Sequence, residues 1–565
     1  MLAFAAMAWR IFLGLALSAA LLGCSPPRRV EHDLAALLPV AEAGAEVRAG
    51  RGSLLLPAGQ EAVFYLDLPG RSDFALAGLR GSAPLSIAVQ EEGGREQTLE
   101  TVQAGARDVE IELPGRGRRL LRLALRAGTG DLALVRPRVV SEAPRPDSPA
   151  PRQKETARPN ILIYLVDTLR ADHLGCYGYS KPVSPHFDRF AETATLFENA
   201  IAQAPWTRPS VASILTGLGP LAHGVRTLDD RLPDAAETLP ERLKAAGYRA
   251  AAFSTNWHVS QDTGLAQGFD DFLFFPQDGA SPAVNRRVLA WLDSHREARP
   301  FFLYVHAIDP HTPYNPPPDL RRKFAPNAGP KAGTVENLKR IYAVRGKRRA
   351  DRIAEVAPLY DAEIAANDRS FGALLAALRE RNLFEDTLIV FIADHGEALG
   401  ERGRFGHAQS LYAEELEIPL VVKLPGQTKG ERVSRLAQQI DLLPTLLSAA
   451  GLPPAKGLPG SDLFAPSGAE PAAFSHLKYR GREGLSVVRD GWKRIDPWSR
   501  RLAKSPALYR DGDEWSDLTA KNPVRNGFLG SLLRAEILRS RSGLRAEQAG
   551  MDEETRRELE ALGYL

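Results

Sequence analysis

Cysteine is almost missing from this chain: 565 residues contain two, Cys24 and Cys176. One of them sits at the end of the N-terminal apolar stretch. If processing takes it up, Cys176 has no partner and no internal disulfide can form. Stability then has to come from burial of a core. Cys176 lies in Gly-Cys-Tyr-Gly and reads as a small buried residue rather than a reactive thiol. Charge of one sign is also lacking. The formal net charge is +3, close to balance for this size. It gives no reason to expect nucleic acid or an acidic membrane surface as a partner. Long apolar runs are missing beyond Leu22, which excludes further membrane spans of ordinary length.

What is there begins with that first run. Leu2 to Leu22 is an apolar run broken by Arg10, and it ends in Leu21-Leu22-Gly23-Cys24 before the polar, Pro-rich Ser25-Pro26-Pro27-Arg28. A short apolar core with a small residue before the cut marks a signal peptide. The pattern resembles a bacterial lipobox, with residues 1–23 removed and a lipid on Cys24. About 20 apolar residues also suffice for one transmembrane anchor. Either way the chain is expected to be exported and tethered to the cell envelope.

The length predicts two or three domains at roughly 100–200 residues each. Between Gly52 and Val140 short alternating runs are separated by Gly and Pro, as in Val109-Glu110-Ile111-Glu112-Leu113 and Leu121-Arg122-Leu123-Ala124-Leu125-Arg126. Alternation puts one face on a core and one in water. Residues 24–142 are therefore expected to form an antiparallel β-sandwich. They carry no His, Asp or Glu cluster at metal spacing, which suits a spacer or binding module. Residues 143–157, rich in Pro, Arg, Ser and Glu, read as a semi-rigid linker.

Past the linker the pattern changes. Ile161 to Val166 is continuously apolar and stops at Asp167. Strands buried on both faces of a parallel sheet look like this, and ligands bind beyond the carboxyl ends of such strands. Thr387 to Ala393 repeats the scheme and stops at Asp394-His395-Gly396-Glu397. Arg249–Phe253 and Phe301–Val305 are further short strands. Asp361 to Leu383 carries Ile364, Phe371, Leu374, Leu375 and Leu378 along one helical face. The alternation predicts an α/β unit with a mostly parallel central sheet over 158–455, followed by a smaller C-terminal part over 456–565. The segment Asp319 to Arg352 is basic and irregular, and is expected to border the pocket.

The stretch Ala-Pro-Trp-Thr-Arg-Pro-Ser-Val-Ala-Ser-Ile-Leu-Thr-Gly, Ala204 to Gly217, places Thr207 on the first turn of a helix. Pro209 suits an early helical position, and free N–H groups there suit an anion. Taken alone, Thr207 reads first as an ordinary N-cap, and the rest of the chain is what raises the functional reading. Asp394-His395 alone is equally a pair capping a turn. Together, Asp167, Thr207, Asp394 and His395 make a hard-oxygen and imidazole set fit for Zn²⁺, Mn²⁺, Ca²⁺ or Mg²⁺.

The motifs over roughly Arg158 to Gly451 resemble the sulfatase branch of the alkaline phosphatase superfamily. They are Val166-Asp167-Thr168-Leu169-Arg170, Gly175-Cys176-Tyr177-Gly178, Thr207-Arg208-Pro209-Ser210 with Leu215-Thr216-Gly217, and His223-Gly224-Val225. His306, Asp309-Pro310-His311-Thr312-Pro313-Tyr314, Asp394-His395-Gly396-Glu397, Gly406-His407 and Ile418-Pro419-Leu420 follow in order. Val488-Arg489, Trp492-Lys493 and Leu508-Tyr509 are similar to the family's small C-terminal antiparallel sheet.

The resemblance implies an ester hydrolase or transferase acting on an anionic ester. Asp167, Thr207, Asp394 and His395 would bind metal, with Thr207 as nucleophile. His311 and His407 would assist the leaving group or the anion, and Arg208 and Asp309 would bind substrate. Asp309, His311 and His407 would hold any second metal. Three positions depart from the family's pattern: Thr207 stands where sulfatases carry the Cys or Ser converted to formylglycine, Val211 replaces an Arg, and Thr168 replaces a second Asp. A Thr cannot become formylglycine. A sulfated Thr therefore has no aldehyde to collapse to, whereas a phosphorylated Thr can be released by in-line attack at phosphorus. Phosphoester chemistry is thus expected ahead of an arylsulfatase-type reaction. A non-catalytic surface lipoprotein on the same fold is the expectation of another class.

Overall fold

The computed structural model describes residues 28–143, 158–275, 281–295, 299–466 and 470–549. The expected signal peptide, Cys24 and linker residues 144–157 lie outside them. Among the described residues no helix is long and apolar enough to cross a membrane.

The described residues fall into two compact units. The first groups residues 28–143 with Thr519–Ala535. It has a seven-stranded and a five-stranded sheet, antiparallel at every pair from Arg28–Asp33 with Arg138–Ala143 to Leu85–Glu91 with Gln97–Val102. One apolar core, including Leu54, Phe64, Phe74, Ile87, Leu121, Leu123, Leu125 and Leu134, joins the two sheets. This is the layered arrangement that alternation predicts. The strand Arg119–Ala127 departs from strict alternation, because Ala124 on its other face is buried with Val63 and Ala88. The helix Pro523–Arg539 reaches this face: a Cβ on Gly527 would lie 2.1 Å from Tyr65 Cζ. Arg525 pairs with Glu92 at 2.7 Å.

The second unit is built on a nine-stranded sheet. Its order is Asp271–Phe274, Arg249–Ser254, Phe301–Ala307, Asn160–Val166, Thr387–Ala393, Glu417–Lys423, Thr195–Ile201 and Glu431–Val433, with Ala437–Gln438 also paired to Thr195–Ile201. Pairing is parallel except along Glu417–Lys423, which is antiparallel to both neighbours. Residues 161–166, 301–307 and 387–393 are buried without alternation, because both faces are covered. Helices pack in two groups. Lys347–Glu380 meets Pro185–Ala191 and Ser281–Ser294, and Thr207–Thr216 meets Leu239–Ala245 and Leu442–Ala449.

A four-stranded antiparallel sheet follows: Ala473–Tyr479, Arg482–Arg489, Trp492–Pro497 and Ala507–Arg510. Two expectations are corrected. Residues Asp319 to Arg352 are not irregular but contain the helices Pro318–Phe324 and Val335–Ala343 and the start of Lys347–Glu380. That last helix runs 34 residues with Pro358 inside it, well before the Asp361 start read from periodicity.

Candidate active site

The centre of the second unit follows from strand register. Val166 lies opposite Ala393 in the parallel pair, so Asp167 and Asp394 leave the sheet side by side, both fully buried. His395 follows, also fully buried. Its Nδ1 lies 2.9 Å from the Gly396 carbonyl. A carbonyl only accepts, so Nδ1 carries the proton and Nε2 presents a lone pair. That nitrogen is 3.3 Å from Thr207 Oγ1, 3.4 Å from Asp394 Oδ2 and 3.8 Å from Asp167 Oδ1. Thr207 opens the helix Thr207–Thr216, so its hydroxyl sits at the positive end of that helix.

The two carboxylate oxygens facing His395, Asp167 Oδ1 and Asp394 Oδ2, are buried without a hydrogen-bond donor. Two such oxygens beside an imidazole lone pair repel one another unless a cation lies among them. Among the described residues, Asp167, Asp394 and His395 form the group able to hold a metal, with ligand atoms within 4.8 Å of one another. The donor set fits a divalent ion. Without one, burial and then the Asp167 charge push the Asp394 carboxyl well above its ordinary range.

The other oxygens of these acids are held in place. Asp394 Oδ1 accepts from the N–H groups of Thr168 at 3.1 Å and His395 at 2.9 Å. Asp167 Oδ2 accepts from Asn256 Nδ2 at 2.6 Å and faces His306 Nε2 at 3.0 Å. His306 is backed by the Tyr304 hydroxyl at 3.0 Å. Burial raises the Asp167 carboxyl, but His311 and the His306 hydrogen bond outweigh it and hold the group below the usual carboxylate range. Asn256 Oδ1 accepts from the His258 N–H at 2.8 Å, which fixes the amide so that Nδ2 also points to Thr207 Oγ1 at 3.5 Å. Gly396 permits a close pass here, since a Cβ on it would lie 2.3 Å from the Glu414 carbonyl oxygen.

Above this floor opens a cavity of about 370 Å³. Thr207, His258, His311, Glu397 and His407 line its depth, and Lys339, Tyr342, Tyr479, Arg480 and Arg482 its outer part. His311 Nδ1 donates to the Thr312 carbonyl at 2.5 Å, and burial lowers the ring's pKa. The His407 ring lies 5.1 Å from that of His311 and 4.6 Å from that of His395. Its Nδ1 faces Glu397 Oε2 at 3.3 Å. Burial pulls the His407 pKa down, but the Glu397 carboxylate outweighs it and pushes it up to about 9. His407 is thus a cation at neutral pH. His258 Nδ1 faces Arg208 Nη2 at 3.2 Å. An arginine only donates, so the His258 ring carries its proton on Nε2, and burial and then Arg208 keep it neutral.

Thr207, His311, His407, Asp167, Asp394 and His395 therefore come together. Two residues take other places. Arg208 is fully buried, with its guanidinium on the carbonyls of Leu228 and Asp230 and on His258; the structure makes it a support for His258. The Asp309 carboxylate accepts from the Ser281 N–H at 3.1 Å and the Ser281 hydroxyl at 2.7 Å. This corrects the expected second metal at Asp309, His311 and His407, because that carboxylate holds the start of the Ser281–Ser294 helix instead. Sequence reasoning missed Asn256, His258 and Tyr304, and gave His306 no role. Asn256 stands just beyond the strand Arg249–Ser254, so the strand-end rule that found Asp167 could have found it.

The sulfatase family model matches residues 159–452. An ulvan-active sulfatase from Formosa agariphila is 28% identical, covering 55% of this chain and 65% of its own length. A low-salt glycan biosynthesis sulfotransferase from Haloferax volcanii is 30% identical over 62% of this chain and 71% of its own. An N-acetylglucosamine-6-O-sulfatase from Bacteroides thetaiotaomicron is 24% identical over 67% and 84%. The chain thus spans just under two thirds of the first relative and more of the other two. Among solved structures, a phosphonate monoester hydrolase from Agrobacterium radiobacter superposes with a TM-score of 0.56 at 21% identity, covering 68% of this chain and 96% of that one.

Proposed function

This chain belongs to the sulfatase family, and from that premise we propose that it is a divalent-metal-dependent ester hydrolase with Thr207 as nucleophile, acting on phosphate or phosphonate esters ahead of sulfate esters. The observation that carries this reading is the position of Thr207 Oγ1, 3.3 Å from His395 Nε2, where the donorless oxygens of Asp167 and Asp394 converge. Asp167, Asp394, His395 and Thr207 would hold the ion, and one imidazole with two carboxylates favours Zn²⁺ or Mn²⁺ over Mg²⁺ or Ca²⁺. Once bound, the ion supplies Lewis acidity that lowers the hydroxyl pKa and offsets charge on the attacked group.

The side chains have distinct tasks. Asn256 Nδ2 donates toward Thr207 Oγ1 and stabilises negative charge there. Thr207 attacks phosphorus, its proton passes to water in the cavity, and the ester oxygen leaves on the opposite side. His407, cationic through Glu397, binds a non-bridging oxygen. His311 is neutral in the free protein because burial lowers its pKa; an anion entering beside it favours protonation. It then gives a proton to the departing oxygen and takes one back from the water that attacks phospho-Thr207, while the Thr207 oxygen leaves phosphorus and regains a proton from solvent. A sulfated Thr207 has no aldehyde form to collapse to, which favours phosphorus. The non-catalytic alternative must explain why two buried carboxylates face an imidazole lone pair, an arrangement costly without an ion.

The test is to mix metal-loaded protein with phenyl phosphate, phenyl phosphonate esters and phenyl sulfate, quench in acid, and weigh the peptide containing Thr207. A phosphoryl adduct on Thr207, absent from a Thr207→Ala variant that turns over none of the panel, is expected. Full turnover by that variant would end the mechanism.

Export and a lipid on Cys24 complete the proposal, supported by Leu21-Leu22-Gly23-Cys24. Labelled palmitate incorporated by the full chain, and lost in Cys24→Ala, is the expected result. Retention of an uncleaved N-terminus would favour the transmembrane anchor.

A further inference from the structure

The outer part of the cavity has a charge pattern that the proposed chemistry does not use. Lys339 comes from the helix Val335–Ala343. Arg480 and Arg482 come from the turn joining Ala473–Tyr479 to Arg482–Arg489. All three border the cavity, whose one lining carboxylate among the described residues, Glu397, faces His407 at 3.3 Å. Arg482 is half-buried, and its pKa is lowered by burial. Glu415 opposes that shift, while Arg404, Arg501 and Arg480 add to it. The Glu415 carboxylate already accepts from Ser410 Oγ at 2.5 Å and the Gln409 N–H at 2.9 Å. The Nη1 of Arg404 is buried with no hydrogen-bond partner. Arg480 and Arg482 thus line the cavity, with Arg404 and Arg501 close enough to add positive charge around Arg482. That is costly in the free protein and is relieved by an anion.

The turn is built to hold this pattern. Tyr479 pairs with Arg482 across a two-residue connection, Arg480-Gly481, with φ of 45° and 75°. Two positive φ values define a type I′ turn, where Asn, Asp or Gly is the usual first residue. An arginine there accepts backbone strain. Arg501 Nη1 donates to the Arg480 carbonyl at 2.7 Å and fixes the tip. The turn is also joined to the reacting centre. Tyr479 packs on Trp206, ring centroids 5.5 Å apart, and Trp206 precedes Thr207. Arg480 and Arg482 therefore stand one aromatic pair away from the nucleophile, with Arg480 exposed at the outer part of the cavity.

We propose that the part of the substrate that leaves carries a second anionic group, a carboxylate, sulfate or phosphate, and that Arg480 and Arg482, with Lys339 across the cavity, form its binding subsite. This rests on the reading of Thr207 as the point of attack, since it needs an ester whose alcohol side reaches outward.

Two arms test it on the full metal-loaded protein. The first compares phenyl phosphate with 3-carboxyphenyl phosphate, whose carboxylate lies off the reacting bond and changes its electronics little. Wild type should prefer the carboxylated ester in kcat/KM. An Arg480→Ala, Arg482→Ala double variant should lose about ten- to a hundred-fold more on it than on phenyl phosphate, the size of effect expected for hydrogen bonds to a charged group. Equal losses on both esters would overturn the subsite. The second arm titrates phenylphosphonate and 3-carboxyphenylphosphonate, which contain no ester, by calorimetry. Tighter binding of the carboxylated compound, lost in the double variant, supports the subsite even if no ester is cleaved. Equal affinity for the two would overturn it even if phenyl phosphate is hydrolysed. Arg482→Lys, which keeps the charge, should restore part of the preference and so separates charge recognition from a folding defect.

Discussion

The floor of the cavity and its outer wall are made in different ways. Asp167, Asp394, His395, Asn256 and Thr207 are almost wholly buried, and each stands at a strand end or a helix start. Every one but Thr207 is fixed by a hydrogen bond of 3.1 Å or less. Tyr342 and Arg480 in the wall are exposed, and they come from a helix and a hairpin far from the sheet centre in sequence. The floor is set by backbone register and has little freedom. The wall is assembled from segments that can change without disturbing the sheet. Placing charge at the reacting atoms belongs to the first region, and choosing what the ester carries belongs to the second.

Substitutions should divide along this line. The largest effect is expected from Asp394→Ala. It should remove bound metal and lower kcat by about a thousand-fold or more, the scale for losing a group that meets the reacting charge. Metal content by elemental analysis, set beside turnover, checks it, and a variant that keeps both its ion and its rate would break the comparison. Next comes Asn256→Ala, which removes a donor to Asp167 and to Thr207. Partners that orient ligands typically matter by about ten- to a hundred-fold in metal affinity or activity, and a metal titration beside a rate assay measures both.

A pH effect should follow. Glu397 lifts the His407 pKa from its ordinary 6.5 to about 9. A raised pKa keeps the ring cationic up to that pH, so the part of the alkaline decline in wild-type kcat/KM that belongs to His407 should lie above about 9, beyond the earlier decline that His311 imposes as proton donor. Glu397→Gln removes the carboxylate that opposes burial, so the decline should move toward neutral pH or below. An unmoved alkaline limb would mean that His407 charge plays no part. The smallest effect is expected from Tyr342→Ala in the wall: a few-fold rise in KM with kcat nearly kept. A large fall in its kcat would erase the distinction between floor and wall.

The legibility of the chain follows the same division. Ile161–Val166 and Thr387–Ala393 announce themselves as buried strands, and the strand-end rule alone puts the acids that follow them at the reacting edge. Asn256 follows an equally short strand but is a lone amide outside any recognisable motif. Its role comes from reaching Asp167 and Thr207, 89 and 49 residues away in sequence. The family resemblance implied that Arg208 binds substrate. Helical geometry turns its side chain away from Thr207, toward the carbonyls of Leu228 and Asp230. Asp309 lies two residues from His311, yet its carboxylate faces Ser281.

Alternation, continuous apolar runs and the residues that end them determined by themselves that this protein has an antiparallel β unit and a mostly parallel α/β unit, and which acids stand at the sheet's edge. These are local properties, set by which side chains neighbouring positions bury. Tertiary structure alone decided that Asn256 and His306 hold Asp167, that Glu397 charges His407, and that Arg480 and Arg482 border the cavity. Such contacts join segments remote in sequence, and burial there sets each group's charge.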